Sequence, residues 1–155
     1  MSRAFVKEQD GSDAFEELPE RLISSHPNLV TEEGLARIEE ELARAEQAYA
    51  AAQAAVDRAA LAVAGRDVRY WTQRRASAEL VPPPADTGEV RFGARVTIVR
   101  EDGRRQSYRI VGEDEADPAQ GTLSYVSPLA RALIGKSVGE TARIGPGEVE
   151  IVAID

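Results

Sequence analysis

One run of apolar residues constrains this chain more than any other feature. Leu35, Ile38, Leu42, Ala45, Tyr49, Ala52 and Val56 follow each other at spacings of three and four without a break. That alternation puts one side chain per turn on a single seam, which is the pattern of a coiled-coil helix. Thr31 precedes it as a good N-cap, and Glu32 and Glu33 fall in the first turn, where the helix dipole favours negative charge. A second series, Leu61, Ala64, Val68, Trp71, Arg75 and Ala78, keeps the alternation and admits one arginine. Pro82, Pro83 and Pro84 end it, because proline lacks the donor and its ring blocks the helix.

Two amphipathic helices followed by such a stop predict an antiparallel hairpin over residues 31–81. Charge fits the pairing: Glu39, Glu40, Glu41 and Glu46 lie on the first helix, Arg66, Arg69, Arg74 and Arg75 on the second. Two turns are compatible with the pattern. A tip at Ala54 to Ala60 balances the arms and buries both seams, and is the preferred reading. A C-cap at Gly65 would lengthen the first helix instead.

Residues 1–30 have no sustained period and are punctuated by Pro19 and Pro27. They read as an extended arm with a short helical turn near Phe15 to Arg21. Phe5, Phe15, Leu18, Leu22 and Ile23 are apolar enough to dock. Residues 82–87 read as a linker. From Gly88 the period becomes that of strands: Arg91–Arg100, Gln106–Val111, Thr122–Val126, Thr141–Ile144 and Val149–Ile154. Glu101-Asp102-Gly103-Arg104 is a hairpin turn. Asp114 to Gly121 is an acidic loop. Ser127-Pro128 caps a helix over Leu129–Ile134, stopped by Gly135. Residues 88–155 are thus expected to pack one short helix on a small antiparallel sheet, and the whole chain is α+β.

Composition removes several functions. The balance is 19 − 27 = −8, against a general basic surface for bare nucleic acid, so no direct sequence-specific nucleic-acid binding is expected. Without cysteine, disulfides, thiolate catalysis and cysteine-held zinc are excluded, and the lone His26 makes no histidine metal site. No apolar run approaches the ~20 residues of a membrane span, and no secretory signal pattern is visible. The expectation is a cytoplasmic monomer with no membrane partner, no cofactor of its own and no enzymatic activity. Asp114, Glu115 and Asp117 lack metal-loop spacing and read as a solvated turn. Gly145-Pro146-Gly147 is a turn and not a phosphate cradle.

Several segments resemble the Gre-type bacterial transcript-cleavage factors. They are Val30-Thr31-Glu32-Glu33-Gly34-Leu35 with Ile38 to Leu42, Arg75 to Leu80, Val90 to Val96, Tyr108-Arg109-Ile110-Val111-Gly112, and the Asp114 to Pro118 loop. The most specific is Ser127 to Gly139. The resemblance spans roughly residues 30 to 155. It implies a helical hairpin followed by an FKBP-like domain that docks on RNA polymerase beside the secondary channel. It also implies that Asp114, Asp117, Pro118, Ser127, Pro128 and Leu129 lie at the partner-binding face.

In that family, acids at the hairpin tip help hold the polymerase's magnesium and its attacking water. Carboxylates are suitable hard ligands for that ion. This chain departs from the pattern. Its hairpin is some twenty residues shorter, about 15 Å less reach at 1.5 Å per residue in each arm. Its tip holds one acid, Asp57, beside Arg58. The resemblance therefore implies a polymerase-binding regulator at the secondary channel without efficient cleavage stimulation. The alternatives are a true cleavage factor using Asp57, or a non-polymerase interaction module like the nucleoside diphosphate kinase regulators. The FKBP-like fold also raises prolyl isomerisation, but from Asp86 onward the aromatics are only Phe92, Tyr108 and Tyr125, too few for an aromatic-lined pocket.

Overall fold

The structure is a computed structural model that describes residues 18–155. Phe5, Phe15 and the first three residues of the expected helical turn lie outside the described residues, and Leu18–Arg21 are not helical. The chain divides into two compact units. One joins the segment ending at Ile23 to Glu39–Ala76, and the other joins Ser24–Ile38 to Ser77–Asp155.

In the first unit the hairpin is formed by α1 (Glu32–Ala54, which begins in the second unit) and α2 (Arg58–Ser77). They are 23 and 20 residues long, about 35 and 30 Å at 1.5 Å per residue. The chain turns at Ala55–Asp57, so the arms are balanced and Gly65 lies inside α2. Gly65 is buried inside α2, where it faces the Tyr49 ring, and it is not a helix cap. Ala45, Ala52, Ala64 and Trp71 are buried as the two apolar series require, whereas Val56 is 82% exposed at the tip. The buried arginine is Arg74; Arg75 points outward and pairs with Glu39 at 3.5 Å.

The second unit holds a five-stranded sheet in the order β5-β4-β3-β7-β6. Its strands are β3 (Arg95–Arg100), β4 (Arg105–Val111), β5 (Thr122–Ser124), β6 (Thr141–Ile144) and β7 (Gly147–Ile154), with α3 (Pro128–Leu133) between β5 and β6. β3 and β4 pair as expected across Glu101–Arg104, where Gly103 takes φ 84. One expectation is corrected. β4 and β5 pair in parallel, Arg109 with Thr122 and Val111 with Ser124, so the sheet is mixed. The connection Gly112–Gly121 is a crossover containing a 3-10 turn at Pro118–Gln120 and not a hairpin. A parallel neighbour needs such a crossover. Alternate residues of the strands (Val96, Ile98, Ile110, Leu123, Val149 and Ile151) join Ala130 and Leu133 of α3 in one aliphatic core.

Two further two-residue strands, β1 (Leu29–Val30) and β2 (Glu79–Leu80), pair in parallel. They zip together the chain entering and leaving the hairpin, helped by Glu79 N–H to Asn28 O at 2.8 Å and Val81 N–H to Val30 O at 2.9 Å. Among the described residues no helix is long and apolar enough to cross a membrane.

Candidate partner-binding sites

The hairpin tip is made by Ala55, Val56 and Asp57. The Asp57 carbonyl accepts the Leu61 N–H at 2.9 Å, and its side-chain Oδ1 accepts the Ala60 N–H at 3.1 Å. Asp57 is thus the N-cap of α2. An aspartate there satisfies an orphan amide and contributes about 1 kcal/mol to the helix. Val56, just before it, takes φ 52, a left-handed conformation that a β-branched side chain rarely adopts. Among the described residues no group of three or more carboxylate or imidazole side chains could hold a metal. A single carboxylate already bonded to backbone does not fit a cation site by itself.

The six residues expected at the partner face fall into two groups. Asp117 caps the 3-10 turn that Pro118 begins: its Oδ1 accepts the Ala119 N–H at 3.2 Å, and its own N–H donates to Thr122 Oγ1 at 2.8 Å. That places the pair at the start of β5. Ser127, Pro128 and Leu129 open α3 beyond the end of β5. The Ser127 hydroxyl accepts the Ala130 N–H at 3.3 Å, and Leu129 packs on the core. Because β4 and β5 are parallel, Asp114, which follows β4, lies at that second end. The two groups are separated by the three residues of β5, about 10 Å at ~3.3 Å per residue.

Around the second end lies a set of contacts that the sequence did not disclose. The Thr31 hydroxyl donates to Glu115 Oε1 and accepts the Gly34 N–H at 3.0 Å. The Tyr125 hydroxyl donates to the Pro27 carbonyl at 2.5 Å. Gly112 stands so near Leu29 that a Cβ there would overlap the Leu29 carbonyl. Residues 27–34 are thereby fastened to the loop after β4. Glu33 adds an ion pair to Arg109 at 3.5 Å, and its own backbone N–H, then Arg109, hold its carboxyl below the ordinary range.

On the first unit the described arm lies along α2. Both oxygens of Glu20 accept from Arg69, at 2.6 to 3.0 Å, and this holds Glu20 below the ordinary carboxyl range. Arg21 pairs with Asp67 at 3.3 Å, and its guanidinium lies 3.8 Å from the Tyr70 ring centre and 5.3 Å from that of Trp71. Leu18 borders a cavity of about 260 Å³ whose other walls include Tyr49, Leu61 and Gly65. The earlier charge pattern assigned Arg69 to the first helix; it serves the arm instead. The signal available in sequence was the Glu20-Arg21 pair, which answers Arg69 and Asp67 in reverse order of charge.

Residues 85–155 match the family described as transcription elongation factor GreA/GreB, C-terminal. The transcription elongation factor GreB of Neisseria meningitidis serogroup B is 41% identical over 96 residues, which cover 58% of this chain and 59% of that protein. GreA of Alkalilimnicola ehrlichii is 47% identical over 85 residues, covering 50% of this chain and 54% of that protein. The chain thus spans between half and three-fifths of the length of these two relatives. Among solved structures, GreA factor homolog 1 (Gfh1) of Thermus thermophilus superposes over 84% of this chain and 99% of that one, with TM-score 0.40 and 22% identity.

Proposed function

We propose that this chain, whose residues 85–155 match the GreA/GreB C-terminal family, is a Gre-type factor: a cytoplasmic, non-enzymatic regulator that binds RNA polymerase and reaches towards the secondary channel with its hairpin. The C-terminal domain would dock through the faces around Asp114, Asp117, Pro118, Ser127, Pro128 and Leu129. The hairpin tip would occupy the channel without completing a metal centre there.

One observation carries the second half of this reading. The only acid of the tip, Asp57, is the N-cap of α2 and is flanked by Val56 and Arg58. Its capping oxygen is committed to the Ala60 amide, and among the described residues no group of carboxylates gathers there to hold a metal. Magnesium-assisted attack by water gains from several oxygen ligands held together. Any ion at work in the complex would belong to the polymerase.

The experiment has two arms. Pull-down with core polymerase should show binding at micromolar concentration; none would refute polymerase binding. Backtracked complexes given this protein and Mg²⁺ should show no rapid RNA shortening. Shortening that disappears in Asp57→Ala would replace the proposal with a true cleavage factor.

A further inference from the structure

The arm along α2 behaves as a bound peptide, and we propose that the surface beneath it is a peptide-binding site held in cis by the chain's own residues 18–21. Its ligand is a protein segment with an aliphatic anchor, a carboxylate two residues later and a guanidinium next to that. The inference does not depend on polymerase binding.

Three features of α2 match that order. The first is the cavity of about 260 Å³ bordered by Tyr49, Leu61, Gly65 and Arg58, which Leu18 meets and, among the described residues, leaves open. The second is Arg69, which grips Glu20 through both nitrogens of one edge. A planar guanidinium in that geometry selects a carboxylate by shape as well as charge. The third is Asp67 with Tyr70, which hold Arg21 between a carboxylate and a ring face.

The cis occupant is suited to exchange. Its Glu20–Arg69 pair is exposed, with the Arg69 and Glu20 side chains 56% and 60% accessible, and such a pair is individually weak and salt-screened, while the Arg21–Asp67 pair is half-buried. Among the described residues the arm leaves the cavity beside Tyr49 and Leu61 open, and beyond it Leu22 is 94% exposed, so the contact stops abruptly. A partner segment of the same pattern with a larger aliphatic or aromatic anchor gains area that Leu18 leaves unused. Tethering makes the arm an intramolecular competitor at high effective concentration, so the site opens only to a partner that outbinds it.

The test uses the full chain and a fluorescein-labelled peptide of the sequence Leu18 to Ser25, followed by anisotropy. Trp71, the only tryptophan, reports arm release through its emission and acrylamide quenching. Glu20→Ala combined with Arg21→Ala should change Trp71 emission and raise peptide affinity at least tenfold over the unaltered chain. Adding Arg69→Ala should abolish that gain. A peptide with its Glu and Arg exchanged should bind at least tenfold more weakly. The proposal is overturned if Trp71 is unchanged in the double variant. It is equally overturned if Trp71 reports release and the peptide does not bind, or if both peptides bind alike.

Discussion

The Thr31 hydroxyl donates to the carboxylate of Glu115, 84 residues further along the chain, while accepting the Gly34 amide from the first turn of α1. A helix cap is thereby fixed from the loop after β4. Glu115 Oε2 is buried without a hydrogen-bond partner among the described residues, over a helix start whose partial positive charge suits a carboxylate. Gly34 makes room for it, since a Cβ there would overlap that carboxylate.

This contact reverses the usual sign of a helix substitution. Gly→Ala within a helix ordinarily stabilises by about 1 kcal/mol. Here the flexible end of Glu115 must swing away and give up its hydrogen bond from Thr31, so Gly34→Ala should destabilise by about 1 kcal/mol. In an Glu115→Ala background the same change should become stabilising. Urea melts of the four proteins in that cycle give the answer, and a coupling near zero would mean that the two residues do not meet.

At the tip, Asp57→Ala should lower stability by about 1 kcal/mol through loss of the α2 cap, whereas Asp57→Asn should keep most of it, because asparagine caps as well as aspartate. The asparagine variant removes charge without removing the cap, so polymerase binding should be unchanged in it. A loss of function in Asp57→Asn at unaltered thermal midpoint would assign the carboxylate a role outside the fold.

Val56 offers the opposite sign. It holds φ 52 with 82% of its surface exposed, so its side chain brings strain and little packing. Val56→Gly relieves a left-handed conformation that costs a residue with a Cβ about 1–2 kcal/mol, and loses some of that gain to unfolded-chain entropy. A net gain near 1 kcal/mol in thermal or urea melts is expected; a loss would show that the valine packs in solution.

Much of this was legible in the sequence. The 3–4 alternation marked both helices, and the proline run marked their end. The change to strand period at residue 88, with Asp102-Gly103 and Ser127-Pro128, marked the sheet unit. What escaped has a common cause. β1 and β2 are two residues each, too short for any periodicity, and the β4–β5 crossover hides within ten residues that resemble a hairpin loop. In the seam, the alternation selects Arg75, four residues after Trp71, whereas packing buries Arg74, three after it. The candidate sites were less legible. Asp114 and Asp117 are neighbours in sequence but lie at opposite ends of β5, because a parallel strand returns the chain to its starting edge. The arm site rests on pairs about fifty residues apart, which no local pattern reveals.

Acid dependence gives a last test, at the root of the hairpin. Glu33 has its carboxyl held below the ordinary value of 4.5, first by its own backbone N–H and then by Arg109. A carboxyl lowered in the folded state binds fewer protons there than in the unfolded chain, so its contribution is complete above the ordinary value and fades as pH falls through the depressed one. The Glu33 side chain is 68% exposed, so the effect is small and salt-sensitive. Glu33→Gln should therefore lower the thermal midpoint slightly at pH 7 and not at all at pH 2, and the two melting curves should converge between those limits. Convergence that fails at low pH would mean the glutamine disturbs the Thr31 cap itself, whereas identical midpoints at every pH would mean that the Arg109 pair contributes nothing in solution.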